Sequence, residues 1–585
     1  MVKELKSYYT ELINNSINEL KNEKNIDVEI APIEGEIPPK EGMGDYAFPM
    51  FSFSKQFHLS PNAIAEEVKR IALKNSTKDD EIKVQGPYVN IHFNKDDIYK
   101  ALVKDVENPS WGKNSHYKGQ KIMIEFSCPN TNKPLHLGHM RNDALGESVS
   151  SLLKESGAEV LKVNLVNDRG VHICKSMLAY QKFGGNDTPE STGIKGDHFV
   201  GDYYVKFNTW QTESIKDENK ITHPTPDEMA STMLEKWESE DKDTLELWNK
   251  MRTWTLDGIG ETYKRTGIKF DKYYYESQLY KKGKSEILRG LEKGIFYKDK
   301  DGAIKVSLAP IGLDEKVLLR SDGTSIYITQ DIGTAIERHN DWPYTSCIYV
   351  VGNEQEYHFK VLFYILSLLG YPWSKNLYHL SYGMVNLPNG RMKSREGTVV
   401  DADDLLDRLH SLSLSSIKAE RNLTDEKAND IAEKVALAAL NYFLLSASPS
   451  RDMIFDINKS LEFQGNTGPY LQYMGARVSA ILRQAGDEGI KDVTSFTLTE
   501  NEKKLVALLD DYPNVVEKAA IEKDPSILAT YLYSLSSTFS KWYHDEPILK
   551  AEGDLRTLRL NISIMFKKVL EKAFTLLHIP FLEEM

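Results

Sequence analysis

Two histidines, His136 and His139, stand three residues apart with Gly138 between them, where a polar loop gives way to a helical pattern. A helix N-terminus presents unpaired N–H groups and a partial positive charge, so it suits an anion such as a nucleotide phosphate. Gly138 permits close backbone approach, and histidines at such a terminus could hydrogen-bond charge developing on a transferred phosphate. An isolated His-x-Gly-His can also be two surface histidines in a helix cap. A second basic group, Arg391, Lys393 and Arg395 in NGRMKSREGTVV, has the charge to meet the β- and γ-phosphates of a nucleotide; the bland alternative is a basic surface loop. Lys133 lies three residues before His136, and Pro134 restricts it to extended backbone. A lysine there acts as a compact point charge toward phosphate oxygens, or else as a solvated loop residue.

The elements around these residues imply how they are positioned. Ile122, Ile124 and Phe126 alternate as in a mostly buried strand, and SCPNTNKP follows as a polar loop. Leu145, Val149, Leu152 and Leu153 then carry a helix that Gly157 stops, and residues 159–166 read as another strand. Further on, residues 304–308 and 316–320 read as two short strands, and Asp322-Gly323 as a tight turn. Residues 325–329 read as a strand, Asp331 as the start of a helix, and 347–351 as an apolar strand, followed by a loop with Gln355 and a helix over 358–369. Strands alternating with helices predict a parallel sheet, whose ligands bind beyond the carboxyl ends of the strands. Glu125, Asn130, His136, His139, Tyr327, Asp331 and Gln355 all fall at or just past such ends, so one shared pocket is expected. The polar stretch 184–257 reads as an insertion, helical over 235–257.

Residues 1–112 read as a first, α+β unit. Leu5, Tyr9, Leu12, Ile13, Ile17 and Leu20 mark one face of an opening helix, and Ser60-Pro61 starts another. Residues 84–93 read as one strand with Val89, Ile91 and Phe93 on one face and Tyr88, Asn90 and His92 on the other. That second face could stack on an unpaired base, or be the polar side of a half-buried strand. From 415 to 585 the patterns are helical, with VALAALNYFLL over 435–445 as a buried helix.

The 585 residues suffice for three or four domains, and 41% apolar content is ordinary for a globular core. A net charge of −13 argues against indiscriminate nucleic-acid coating while allowing a local basic face. Three cysteines far apart in sequence have no zinc spacing and imply a reducing compartment. The N-terminus lacks a signal-peptide core and the apolar stretches are too short for a bilayer, so a cytoplasmic protein without a membrane partner is expected.

The stretch E-F-S-x-P-N-x-x-K-P-x-H-x-G-H at 125–139 resembles the signature of class I aminoacyl-tRNA synthetases in the form used by arginyl synthetases. The resemblance implies a Rossmann-like α/β catalytic domain over 118–412. It implies an N-terminal tRNA D-loop-binding domain over 1–112 and an all-α anticodon-binding bundle over 415–585. It further implies ATP with Mg²⁺ as substrate complex, L-arginine and tRNA(Arg) as partners, no bound zinc, and a monomer. His136, Gly138, His139, Met392 and Lys393 match ATP-binding positions. The 391–395 loop resembles the K-M-S-K-S loop, but Arg391 replaces its first lysine, Lys393 its serine and Ser394 its second lysine. Lys133 is therefore expected to supply phosphate-directed charge. A guanidinium carries five donors in a planar fork, and its natural partner is a carboxylate. Tyr327 and Asp331 resemble the family's guanidinium-binding pair and Glu276 a third member, although a carboxylate such as Asp331 is also suited to cap a helix. Asn130 and Gln355 match positions holding the backbone end of the amino acid, with Glu125 in the same cluster. Gln85, Tyr88 and Asn90 in Q-G-P-Y-V-N match D-loop contacts. Tyr470, Tyr531, Tyr533 and Met585 are candidates for anticodon contacts. Two rivals remain at this level: a tRNA-independent nucleotidyltransferase, which would not need two RNA-like domains, and a non-enzymatic RNA-binding paralogue, expected to have lost the histidines or acidic residues.

Overall fold

A five-stranded, all-parallel sheet organises the centre of the chain. In space its strands run Leu377–Tyr382, Ser346–Gly352, Lys121–Glu125, Glu159–Val166, Lys272–Tyr275. In chain order that is 5-4-1-2-3, a doubly wound sheet whose direction of winding reverses between Lys121–Glu125 and Ser346–Gly352. The crevice beyond the carboxyl ends at such a reversal is where doubly wound sheets bind ligands. The computed structural model describes all residues except 39, 41, 217–221, 389–399, 421–422 and 487–488. Arg391, Met392, Lys393 and Arg395 therefore lie outside the described residues.

The chain forms two compact units. One comprises Met1–Lys113, Arg477–Val516 and Tyr531–Leu570; the other Asn114–Ala476, Glu517–Thr530 and Glu571–Met585. In the first, the helices Val2–Glu23 and Pro61–Asn75 accompany a three-stranded antiparallel sheet. Ser60 caps the second helix, its Oγ accepting from the Ala63 N–H at 3.2 Å, with Pro61 in the first turn. The Tyr99 hydroxyl accepts from Asn561 Nδ2 at 2.9 Å, and Trp111 lies 5.3 Å from Tyr512 between ring centroids. These contacts join residues more than 400 apart in sequence into one core.

Several sequence expectations are corrected here. Residues 84–93 are not one strand but a hairpin, Glu81–Gln85 against Tyr88–His92. Gly86 adopts a φ of +60°, which a glycine takes without penalty, and Pro87 completes the turn. The stretch 235–257 is two helices, Pro226–Glu238 and Lys242–Thr266, the second capped by Asp241 accepting from the Thr244 N–H at 3.0 Å. The short strands Ile304–Val306 and Lys316–Leu319 stay outside the parallel sheet. They pair antiparallel with each other and, through the former, with Tyr297–Lys298. Residues 325–329 are no strand: Tyr327 already opens the helix Tyr327–Asp341, so Asp331 sits one turn inside it rather than at its cap.

Helix Leu137–Glu155 runs through the middle of the second unit and is buried on nearly every side. Close packing against the first strand requires Gly146, where an added Cβ would stand 2.2 Å from the Phe126 ring. Helix ends and loop are then set against that fixed axis. Gly146→Ala is expected to overpack this contact and cost about 1–3 kcal/mol. A lower urea midpoint with unchanged slope would report it, and an unchanged midpoint would mean Phe126 moves aside freely.

Candidate active site

The loop after the first strand leaves the sheet through two consecutive non-glycine residues with positive φ, Ser127 at +71° and Cys128 at +50°. Such backbone is held only where surroundings over-determine it. Here the Ser127 N–H donates to Asn142 Oδ1 at 2.5 Å and the Cys128 N–H to Asn164 Oδ1 at 3.2 Å. The Ser127 and Tyr263 hydroxyls lie 2.6 Å apart. Beyond them, the Thr131 N–H donates to the Asn167 carbonyl at 3.1 Å and the Asn167 N–H to the Pro129 carbonyl at 3.0 Å. The turn thus delivers Asn130 beside the carboxyl end of the second strand.

The histidines cap their own helix. His136 is the N-cap, its Nδ1 accepting from the Gly138 N–H at 3.1 Å. His139, a turn on, accepts from the His136 N–H through its own Nδ1, also at 3.1 Å. Their rings lie 3.9 Å apart. A Cβ at Gly138 would meet the His136 ring at 2.9 Å, so glycine leaves room for that fold-back. Burial, with the Lys133 charge beside it, pulls the His136 imidazole down to about 4; burial and the neighbouring His136 hold His139 well below its ordinary range. Both rings are neutral at pH 7. With Nδ1 accepting a backbone proton, each neutral ring carries its hydrogen on Nε2, as an outward donor.

Lys133 and His136 line a cavity of about 180 Å³ together with His198, Tyr204 and Asp401. Burial lowers the Lys133 ammonium, and among the described residues no carboxylate pairs with it. Backbone from the far side of the 389–399 segment closes on the same place: the Leu137 N–H donates to the Val400 carbonyl at 3.2 Å and the Ala402 N–H to Leu135 at 3.0 Å.

Next to it, Asp197, His198 and Asp403 are close enough to hold a cation. That place is already filled by the chain. Lys195 Nζ is 2.6 Å from Asp403 Oδ2 and 3.1 Å from Asp197 Oδ2, and His198 Nε2 is 3.2 Å from Asp403. Hydrogen bonds to Asp401 and Asp403 push the His198 imidazole up to about 10. Although burial opposes it, hydrogen bonds from His198 and Lys195 hold Asp403 at about 2. The cluster is an internal ion-pair network linking the insertion helix Gly196–Ile215 to Asp403.

A separate cavity of about 250 Å³ opens at the carboxyl edge of the sheet, and Asn130, Glu276, Tyr327 and Asp331 all line it. Tyr327, Gln330, Asp331 and Thr334 reach it at i, i+3, i+4 and i+7, one face of their helix. Burial pushes the Glu276 carboxyl up to about 7; Arg169 pulls it down, while the charges of Asp168 and Asp331 add to the rise. Asp168 itself is buried and accepts from Arg252 Nε at 2.7 Å and from the Ser277 N–H at 2.9 Å, which fixes the backbone beside Glu276. Arg169, the one arginine of the lining, is paired with Glu238, and the two carboxylates with an aromatic hydroxyl beside them suit a planar cation.

Two expected members are not there. The Glu125 carboxylate is buried, paired with the buried Arg338 guanidinium, and does not line the cavity. Gln355 is exposed in the turn Asn353–Gln355, also outside the lining. Sequence reading missed Arg169, His172, Lys195, His198 and His358. Of these, Arg169 could have been found, since V-N-D-R-G follows directly on the second strand.

Comparison with known proteins agrees with this geometry. The family described as "tRNA synthetases class I (R), catalytic domain" matches residues 97–457. "Arginyl tRNA synthetase N terminal domain" matches 7–93, and "DALR anticodon binding domain" matches 471–585. An arginine–tRNA ligase of Treponema denticola is 52% identical over the whole of both chains, and one of Borrelia hermsii is 42% identical over the whole of both. The chain belongs to the arginyl-tRNA synthetase family. Its fold is that of the solved Thermus thermophilus arginyl-tRNA synthetase, at a TM-score of 0.78 and 24% identity, covering 99% of this chain and all of that one. Among the described residues no helix is long and apolar enough to cross a membrane.

The positions matched to RNA contacts divide. Gln85 is exposed and Tyr88 half-buried against the exposed Phe51, ring centroids 5.6 Å apart. Asn90 is not on an open face. It is 1% exposed, on the central strand of its three-stranded sheet. Tyr531 is likewise buried, its hydroxyl donating to the Leu508 carbonyl at 2.8 Å. Tyr470 and Tyr533 are half-buried, and Met585 packs beside the cluster of Ile417, Ile431 and Leu582.

The His136 environment predicts a pH dependence. Folded, His136 takes a proton only near pH 4; unfolded, near its ordinary 6.5. Between those values the unfolded chain binds the extra proton, so stability falls as pH drops from 6.5 toward 4. His136→Asn removes this titration, and its urea midpoint is expected to fall less across that window than that of the wild type. Parallel declines would place the imidazole in water.

Proposed function

We propose that the chain is an ATP-dependent arginine–tRNA ligase in which the acidic cavity holds arginine and the histidine-capped helix stabilises the reacting phosphate. An oxygen of the arginine carboxylate attacks the α-phosphate of ATP; the bond to the bridging oxygen breaks, and Mg²⁺-bound pyrophosphate leaves. The terminal ribose hydroxyl of tRNA(Arg) then attacks the arginyl carbonyl and AMP departs. The observation carrying this reading is the pairing, at one sheet edge, of a cavity with two carboxylates and a helix N-terminus with two neutral donor histidines.

Each residue then has a chemical task. Asp331 and Glu276 accept from the guanidinium, with the Tyr327 hydroxyl beside them, and Asn130 holds the backbone end. The Nε2–H groups of His136 and His139 donate to the pentavalent α-phosphate as its charge grows. Lys133 adds an unpaired positive charge beside His136, and Arg391, Lys393 and Arg395 reach the departing phosphates. Gln85 and Tyr88 meet the D-loop, and residues 471–585 meet the anticodon through Tyr470, Tyr533 and Met585. The domain limits 1–112, 118–412 with its insertion at 184–257, and 415–585 follow this division of labour. The enzyme works as a cytoplasmic monomer and carries no zinc.

His136→Ala or His139→Ala should slow arginine-dependent pyrophosphate exchange by about 10²–10³ with little change in arginine affinity, as for other preorganised donors. Unchanged rates in both would remove them from the chemistry. Asp331→Asn should raise the arginine KM steeply and relax the rejection of citrulline. A site built for a charged fork discriminates by up to ~10⁴–10⁵, because its acceptors otherwise stay unpaired. Equal losses for arginine and citrulline would mean that Asp331 serves only its helix.

A further inference from the structure

Asp331 does not face the cavity alone. His358, in the first turn of the helix Glu356–Leu368, places Nε2 2.6 Å from Asp331 Oδ2. At that separation a proton lies between the two atoms, and the imidazole Nε2–H donates to the carboxylate. His358 does not line the cavity, so it reaches the pocket only through Asp331. Among the described residues Asp331 has no other side-chain partner, so Oδ1 is left for whatever enters the cavity.

We propose that His358 is a specificity-determining positioning residue: it locks the Asp331 carboxylate so that one oxygen points at the guanidinium of arginine. The inference rests on the assignment of this cavity to arginine. A carboxylate on a helix has two χ angles, and a partner on one oxygen removes the freedom of the other. The helix fixes where Asp331 begins; the next helix, through His358, fixes where it ends. The neighbouring pocket charges make this control necessary. Glu276 lies close enough for Asp331 to raise its carboxyl, so an unconstrained Asp331 would turn from a second carboxylate toward solvent. Held by His358, it stays where a planar fork can meet both acceptors. A neutral urea group, as in citrulline, gains less from a charged oxygen fixed in that plane. Loss of the lock therefore costs arginine more than it costs citrulline.

The test is steady-state pyrophosphate exchange and direct arginine and citrulline binding by the full-length enzyme, comparing His358→Ala, His358→Gln, Asp331→Asn and the double variant His358→Ala/Asp331→Asn. His358→Ala should raise the arginine KM about tenfold, the size of one hydrogen bond to a charged group, with kcat within twofold. Citrulline binding should change less than twofold. His358→Gln places an amide donor where Nε2 was and should restore most of the loss. In the Asp331→Asn background, His358→Ala should add nothing, because the partner it orients is already altered. If Asp331→Asn raises the arginine KM but His358→Ala does not, the positioning role is overturned while the arginine assignment stands. If neither variant changes arginine binding, the arginine assignment itself has failed. A drop in kcat and KM effects that Gln does not rescue would mean His358 only packs the helix, which also overturns the proposal.

Discussion

The N-terminus of the helix Leu137–Glu155 is held where a doubly wound sheet reverses direction, and its donors must be satisfied there without being spent. The two histidines solve this by accepting backbone N–H groups through Nδ1. That arrangement caps the helix, fixes both tautomers, and leaves two Nε2–H donors directed away from the helix. Burial keeps the rings neutral, so they add no charge beside Lys133. Several contacts of the second unit bear on the position of that one helix end. Gly146 sets its distance from the first strand, Arg141 donates to the carbonyls of Pro449 and Arg451 at 2.9 and 2.8 Å, and Val400 and Ala402 pair with the backbone on either side of His136.

The neighbouring cavity presents the opposite electrostatic problem. Burial strips hydration from the Glu276 carboxylate and the half-exposed Asp331 adds repulsion, which together show in the raised Glu276. Such a site is costly while empty and relieved by a delocalised cation. The chain tolerates it by surrounding it with fixed partners outside the cavity. Asp168 ties the second strand to Arg252 of the insertion and to the Ser277 backbone, while Arg338 neutralises the buried Glu125 outside the cavity lining. The insertion also reaches the cavity lined by Lys133 and His136, through Lys195 and His198 on Asp403. One inserted helical segment is thus bonded to both halves of the site.

Glu125 and Asn90 show why a matched motif does not by itself assign a role. Both sit at positions where the sequence pattern resembles a ligand contact, and both are buried in this structure. A buried carboxylate must find a counter-charge, and for Glu125 that partner is Arg338, 213 residues away in the chain. For Asn90 alternation along the strand did not predict exposure: both Asn90 and its neighbours Val89 and Ile91 are buried.

Local rules were enough to read the strand–loop–helix around His136, the cap at Ser60, the stop at Gly157 and the helical C-terminal third, because periodicity and capping act over a few residues. The sequence motif at 125–139 also determined the family and hence the class of fold. What local pattern could not decide was which stretches pair with which. The Gly86-Pro87 turn split one apparent strand into two, and the short strands near 304 and 316 closed on each other instead of joining the parallel sheet. Tyr327 started its helix four residues before Asp331, which moved Asp331 from cap to cavity wall. The cavity wall is built from residues 130, 276 and 331, and the ion-pair network from 195, 198 and 403. Such sets exist only once the sheet has brought its carboxyl ends together, since each member's charge and burial depend on neighbours that sequence distance conceals.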